Sequence, residues 1–561
     1  MSDLYEKLSA ERKFKQSTGE IPQFFETPGY SMFIKKYAEP GKSIKDRYET
    51  LAREAALYAN KLYGGQVNWE KEFFDILWKG WLSPSTPLLS NFGTDRGLPI
   101  ACEGSYIGDS VWDFYETLKE CAVLTQQGFG TSAYMGDIRG RGSKFSDNGQ
   151  ANGVVPVFEN FVEMTNQISQ GSNRRGSFAG YIEADHPDFD EFIDAVFREP
   201  ANKNVGFILT QNFIDKALGD KNSKERMSYQ KILKLRATFG KGYIWKVDTV
   251  NEAQPKAYKK NGLKNKASNL CSEITLFSDE NHSYTCVLSS LNLSKYDEWK
   301  DTDLVFLATV FLDCVVEGFI EKAQNMPGLE RAVRYTKKAR SLGLGVMGYH
   351  DLLQQKELAF ESQNALAFNK ELFSSIQVSS ISASQWMAAK AGEPEWCKDT
   401  GMRNTHLMAV APTMSTALIV GGTSQGIEPF IANAWTQNSA AGDSLRVNPN
   451  LIKKMKSAGV YEQATIDDIL DNGGSVQHVT WLSEHDKEVF KTAFELDQNA
   501  IIKQASDRQQ HIDQGQSLNL FFKPTDPGSY IAQVHNNALK DKWIKGLYYV
   551  RSQHGQKASK G

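Results

Sequence analysis

Cysteine is scarce here: six residues in 561, at Cys102, Cys121, Cys271, Cys286, Cys314 and Cys397. None forms a C-x-x-C pair, so neither a disulfide framework nor a zinc site of familiar spacing is expected. A basic excess is also missing. Lys and Arg number 64 against 67 Asp and Glu, a net charge of −3, which argues against a surface that coats nucleic acid. No long apolar run is free of charge. The most apolar stretch, Leu304–Ile320, contains Asp313 and Glu317 and is predicted as a core helix rather than a membrane span. Met1–Glu20 lacks the apolar run of a signal peptide. Internal repeats at solenoid periods and low-complexity segments are absent. These absences point to a reducing, cytoplasmic setting with no membrane partner, in which any disulfide is transient and catalytic.

What is present reads as α/β. Residues 1–82 are predicted as a helical region. Ser43–Tyr63 is amphipathic (Tyr48, Leu51, Ala55, Leu57), and Asn68 caps a second helix with Phe73, Phe74, Leu77, Trp78 and Trp81 on its buried face. Ser83-Pro84-Ser85-Thr86-Pro87 then punctuates the chain, and the main domain is placed at 83–552, with a polar tail at 553–561. Within that domain, Ser110 is predicted to cap a helix whose inner face carries Val111, Phe114, Leu118 and Ala122. Further helices are expected over Pro156–Ser169 and Pro187–Phe197, the latter with proline in its first turn. Strands are expected to end near Cys102 and to cover Val205–Thr210, Cys286–Leu293, Ala417–Val420, Ser517–Phe522 and Leu547–Val550. Strands separated by helices predict a largely parallel sheet or barrel.

Four local patterns could carry chemistry. In Asn269-Leu270-Cys271-Ser272-Glu273, an extended backbone puts an amide, a thiol and a carboxylate on one face. Cys102 and Cys286, each in a predicted strand, are either small buried hydrophobes or a pair of reducing thiols whose Cα atoms lie within ~7 Å. Cys121, Cys314 and Cys397 read as packing. Pro412-Thr413-Met414-Ser415-Thr416, followed by Gly421-Gly422-Thr423-Ser424-Gln425-Gly426, offers hydroxyls and backbone N–H groups to a phosphate. Thr86 and the Gly128-Phe129-Gly130 turn are weaker signals of the same kind. Tyr548-Tyr549 is either sheet packing or, if the phenols stack, a route for an electron and a proton.

In combination the motifs are more specific. Asn269–Glu273, Thr285-Cys286-Val287-Leu288-Ser289-Ser290-Leu291-Asn292-Leu293, Arg340-Ser341-Leu342-Gly343-Leu344-Gly345-Val346-Met347-Gly348, Ala411-Pro412-Thr413, Ser517-Leu518-Asn519-Leu520 and Leu547-Tyr548-Tyr549-Val550-Arg551 occur in that order. Over residues 4–552 the chain resembles the large, catalytic subunit of class I ribonucleotide reductase. The resemblance implies a ten-stranded α/β barrel of two five-stranded parallel halves, with Cys271 on a central finger loop. It implies reduction of a ribonucleotide, by default a diphosphate, at the 2′-carbon. Cys271 matches the thiyl radical that takes the 3′-hydrogen, Glu273 the base on the 3′-hydroxyl, and Asn269 the orienting amide. Cys102 and Cys286 match the pair that supplies two electrons and closes to a disulfide.

Thr86, Ala101 and Gly130, with Pro412, Thr413, Met414, Ser415 and Thr416, match substrate contacts, the last group at the phosphates. Tyr548 and Tyr549 match a radical relay from a separate, metal-bearing, ferritin-like small subunit, so this chain itself is expected to hold no metal. Asp109, Ser110 and Arg139 match a site for a regulatory deoxynucleotide or ATP at a homodimer interface. Two departures are expected to matter. No ATP-binding domain precedes the catalytic pattern, and only 12 residues, none of them cysteine, follow Tyr549. Three readings stay open: the tail lies on another polypeptide, a thioredoxin- or glutaredoxin-type reductant reaches Cys102 and Cys286 directly, or the chain is truncated; dithiothreitol should support repeated turnover. A cobalamin-dependent reductase shares the barrel and the N-x-C-x-E logic but needs no tyrosine relay. A nucleotide-binding relative without chemistry would not need both cysteines, Glu273 and both tyrosines.

Overall fold

The computed structural model describes residues 3–100, 102–146, 149–170, 174–439 and 442–553. Helices dominate up to Trp78. In the helix Ile44–Tyr63, Ser43 accepts from the Asp46 N–H and the Asp46 carboxylate accepts from the Ser43 N–H, a reciprocal cap that fixes the start. Asn68 caps the helix Trp69–Trp78 as expected, with Phe73 and Leu77 on its buried face, while Trp81 lies beyond its end.

The strands that build the centre are β1 (Leu82–Pro84), β2 (Cys102–Tyr106), β3 (Thr131–Tyr134), β4 (Phe178–Glu183), β5 (Asn204–Leu209) and β6 (Tyr243–Lys246), then β7 (Tyr284–Asn292), β8 (Leu342–Met347), β9 (Leu520–Phe522), β10 (Gly546–Leu547) and β11 (Val550–Ser552). Strands β2, β3, β4, β5 and β6 pair side by side, all parallel. The second half is also parallel but less regular. β7 pairs with β8, β8 reaches Met408 through Leu344, Val410 bridges to Gln516, and β9 pairs with β11. The halves meet at two antiparallel seams. One joins β7 to β2 with Cys286 opposite Cys102, and the other joins β6 to β10 with Ile244 opposite Leu547. β1 adds an edge beside β7. This curled, two-half sheet is the expected barrel, and its seams carry two of the expected chemical pairs.

The helix Leu304–Ala323 crosses the core. Its Asp313 is fully buried and accepts from Arg340 Nε and Nη2 at 2.9 and 2.8 Å, from Asn404 Nδ2 at 2.8 Å and from the Tyr63 hydroxyl. Burying one carboxylate among so many donors pins the N-terminal helices to the barrel. Among the described residues no helix is long and apolar enough to cross a membrane.

Four local expectations are corrected. Ala417–Val420 is not a strand: Met414–Ile419 is a short helix that ends where Gly421 and Gly422 take φ of +100° and +75°. A four-residue apolar run has no period of its own, and the flanking Pro412 and double glycine decided it. Ser517–Phe522 is strand only over Leu520–Phe522, and Leu547–Val550 is interrupted at the two tyrosines. Ser110 caps the helix Val111–Gln126, but its buried face is Thr117, Glu120, Cys121, Leu124 and Thr125, and Val111 is 69% exposed. Polar partners explain the inversion, because Arg331 and Ser283 reach in to Glu120.

Candidate active site

The segment around Cys271 is a tight turn, not an extended strand. The Ser272 N–H closes it on Asn269 O at 3.2 Å, and Ser272 has φ +61°. Asn269 stabilises the turn with its own side chain: Oδ1 accepts from the N–H groups of Glu273 and Ile274 at 3.1 and 3.2 Å. Local capping by asparagine thereby replaces the strand geometry that spacing suggested. Contacts from outside hold the loop. The Tyr181 hydroxyl donates to Asn269 O at 2.7 Å, and the Gly515 N–H donates to Glu273 O at 2.7 Å. A Cβ on Gly515 would lie 2.9 Å from that same oxygen, so the close approach requires glycine.

Around this turn the chemical groups converge. Asn269 Nδ2 donates to Cys102 Sγ at 3.2 Å. Cys286 faces Cys102 across the β7–β2 seam. Directly opposed antiparallel residues have Cα atoms about 4.5–5.5 Å apart, inside the span a disulfide needs; both are free thiols here. Gln514 Nε2 donates to Cys286 Sγ at 3.3 Å and to Leu342 O at 2.8 Å, and its Oε1 accepts from the Thr275 N–H at 3.2 Å, tying the seam to the finger. Burial pushes both thiols well up from their ordinary range, with Glu273 adding to the effect. These sulfurs are therefore held as S–H.

Glu273 is fully buried, and that burial raises its carboxyl to about 7 against the opposing pull of backbone, Asn269 and Ser517 hydrogen bonds. The Ser517 hydroxyl lies 3.2 Å from Glu273 Oε2 and 2.7 Å from Cys271 O, while Glu273 Oε1 has no partner among the described residues. A buried carboxyl raised to about 7, with one oxygen unpartnered among the described residues, is suited to take or give a proton near neutrality.

The tyrosines lie on the other side of Cys271. The Tyr548 hydroxyl donates to Cys271 Sγ at 3.6 Å, and the Tyr548 and Tyr549 ring centroids are 4.0 Å apart. Asn519 Oδ1 accepts from the Tyr549 N–H at 2.9 Å, and Arg551 lies over the Tyr549 ring.

Of the expected substrate contacts, Gly130 bridges to Cys102. Thr86 opens the helix Thr86–Asn91, its hydroxyl 3.2 Å from that of Tyr37. Pro412–Thr416 follows the Met408–Val410 bridges directly. Thr413 is the N-cap residue of Met414–Ile419, its Oγ1 accepting from the Gly426 N–H at 2.9 Å, and Ser415 and Thr416 lie in the first turn. The first N–H groups of a helix have no partner within it. Met414 points largely to solvent, and Ala101 lies outside the described residues. Asp109, Ser110 and Arg139 are not part of this site. They line a separate cavity of about 490 Å³ with Phe114, Tyr115 and Phe145, where the Arg139 N–H and Nε both donate to the Asp109 carboxylate.

Family models match most of the chain. The model described as ribonucleotide reductase, barrel domain, matches residues 101–222, 209–399 and 395–550, and the all-alpha domain of the same enzyme matches 23–97. The chain belongs to the ribonucleotide reductase large-subunit family. It is 30% identical to the ribonucleoside-diphosphate reductase large subunit of Invertebrate iridescent virus 3, over 92% of this chain and 91% of that protein. The solved class Id ribonucleotide reductase alpha subunit of Actinobacillus ureae superposes with a TM-score of 0.86 at 37% identity, covering 94% of this chain and 97% of that one. The vitamin B12-dependent ribonucleoside-diphosphate reductase of Thermoplasma acidophilum is 31% identical over 84% of this chain and 63% of that protein. The activity of this reductase family is the conversion of ribonucleotides to 2′-deoxyribonucleotides, and the chain is an enzyme of that class.

Tyr181, Tyr243, Gln514 and Ser517 were not singled out from the sequence as site residues. Gln514-Gly515-Gln516 immediately precedes the Ser517–Leu520 motif, a signal that could have directed attention there. Tyr243 offered none, since a strand tyrosine is ordinarily packing.

Proposed function

We propose that the chain reduces ribonucleoside diphosphates as the large subunit of a class I enzyme, with each side chain in the role its position favours. Cys271 becomes a thiyl radical and removes the 3′-hydrogen of the sugar. Glu273, through its unpartnered oxygen, accepts the 3′-hydroxyl proton. Asn269 orients the substrate and, through its turn, both neighbours. The 2′-oxygen leaves as water. Cys102 and Cys286 each give up one proton and one electron and close to a disulfide, Glu273 returns its proton to the 3′-oxygen, and Cys271 returns the 3′-hydrogen and recovers its radical. Thr86, Ala101 and Gly130 contact the substrate, and Pro412–Thr416 contact it at the phosphates. Tyr549 and Tyr548 pass the radical from a ferritin-like small subunit whose metal centre generates it.

Asp109, Ser110 and Arg139 belong to an effector site for a dNTP or ATP in a homodimer, and a thioredoxin- or glutaredoxin-type protein reopens the disulfide. We also place a division between a helical region at 1–82 and the barrel at 83–552, with 553–561 as a tail, most of which lies outside the described residues. The observation that carries this reading is the convergence on one turn: Cys271 next to Tyr548 on one side, and Asn269 on Cys102, opposite Cys286, on the other.

The cobalamin-dependent relative keeps one alternative in view, and the tyrosine pair beside Cys271 favours class I over it. Turnover is measured with a candidate small subunit and, separately, with adenosylcobalamin. Product formation only with the small subunit is expected; product with adenosylcobalamin alone would overturn the class I assignment.

A further inference from the structure

A third phenol touches both tyrosines of the pair. β6 and β10 run antiparallel with Ile244 opposite Leu547 and Trp245 opposite Gly546. Continuing that register by one residue sets Tyr243 opposite Tyr548. Tyr243 is fully buried, its ring centroid 5.0 Å from Tyr548 and 5.6 Å from Tyr549, nearly perpendicular to the latter. Its hydroxyl donates to the Tyr549 hydroxyl oxygen at 3.3 Å.

Buried contacts hold the seam behind these rings. Arg236 is fully buried, and its Nη1 donates to Gly242 O at 2.5 Å and to Tyr548 O at 2.8 Å, while Nε donates to His535 Nε2 at 2.9 Å. Gly240, in the left-handed region at φ +71°, accepts from the Val550 N–H at 3.0 Å, and a Cβ there would fall 2.3 Å from Val550 O. A buried cation and an obligatory glycine both serve to hold the backbone on either side of the tyrosine pair against the strand that carries Tyr243.

We propose that Tyr243 is a positioning residue of the radical relay, its hydroxyl holding Tyr549 against Tyr548 and fixing the side from which Tyr549 exchanges hydrogen. The inference rests on the reading above that Tyr549 and Tyr548 carry the radical. A phenol oxygen has one O–H and two acceptor sites. The Tyr243 proton occupies one acceptor site of Tyr549, which leaves the face toward Tyr548 for exchange. A one-electron oxidant in the partner subunit first removes a hydrogen atom equivalent from Tyr549. In the next step the O–H bond of Tyr548 breaks and that of Tyr549 re-forms, one proton and one electron moving together. The S–H bond of Cys271 then breaks as the Tyr548 O–H re-forms. Tyr243 keeps its own O–H throughout.

Tyr243→Phe keeps the ring and deletes only the donor. In the holoenzyme with its small subunit, kcat is expected to fall about three- to tenfold, the loss of one neutral hydrogen bond, with KM and nucleotide binding unchanged. A ring that merely packs would not alter the spectrum of a radical at its neighbour. With 3-aminotyrosine at position 549 as a radical trap, high-field EPR should show the lowest-field g-value rising when Tyr243→Phe removes the hydrogen bond. Unchanged kcat and unchanged g-values would overturn the inference. Tyr549→Phe separates the two levels. If that variant stays fully active, the relay reading itself fails; if it is inactive while Tyr243→Phe is fully active, only the role of Tyr243 is lost.

Discussion

Ser517→Ala is a small deletion with a calculable effect. Its hydroxyl has a single proton and two acceptors in reach, Cys271 O at 2.7 Å and Glu273 Oε2 at 3.2 Å. The shorter contact takes the larger share, so Glu273 receives the proton part of the time. A full hydrogen bond to a charged group contributes roughly 1.5–3 kcal/mol, and one pKa unit corresponds to about 1.4 kcal/mol. A shared contact is therefore worth roughly half to one unit. Because the bond favours the ionised form, removing it raises the Glu273 carboxyl further above its present value of about 7. The acid limb of the kcat/KM profile should move up by the same half to one unit. Turnover then falls roughly three- to tenfold below about pH 6.5 and stays nearly unchanged above about pH 8.5. The assay is product formation across pH at saturating small subunit and reductant. An acid limb that does not move, or a loss uniform with pH, would refute the reasoning and leave Ser517 acting only through the Cys271 carbonyl.

Two further outcomes follow from buried charge. The Glu273 carboxyl sits near 4.5 in an unfolded chain and about 7 in the fold, so the native state binds the proton more tightly and stability falls as pH rises through that window. Above it, the ionised group costs up to roughly 3 kcal/mol. Glu273→Gln should abolish turnover yet melt at a higher temperature than the parent at about pH 8, with the advantage gone at about pH 4; equal melting at both would contradict the burial cost. Asp313→Ala leaves the buried Arg340 guanidinium without its main partner, with Glu317 remaining at 2.7 Å. A loss of about 3–5 kcal/mol is expected in denaturant titrations, and a loss below about 1 kcal/mol would show the pair to be poorly desolvated.

The barrel and the family were legible because they are carried by ordered motifs. The geometry of the site was legible only in part. Asn269, Cys271 and Glu273 do lie in one place, but on a turn that Asn269 caps with its own amide, not by alternation along a strand. Spacing of two suggests a strand only where a sheet partner exists, and the finger has none. On Val111–Gln126 the apolar stripe was read as the inner face, while the structure buries Thr117 and Glu120 instead. Hydrophobic pattern fails wherever a long-range polar partner, here Arg331, makes burial of a charge favourable. Gln514 and Tyr243 were hidden for a related reason. Each reaches the site through contacts to residues far away in sequence, Cys286 among them in one case and Tyr549 in the other, and such contacts leave no local mark.

The most direct test of the account is product formation by Cys271→Ser, measured beside nucleotide binding and with the small subunit present. Serine fills the same turn but its O–H bond is too strong to exchange hydrogen reversibly with the sugar. The account predicts no detectable deoxyribonucleotide with nucleotide binding intact. Reduction surviving in this variant would contradict it.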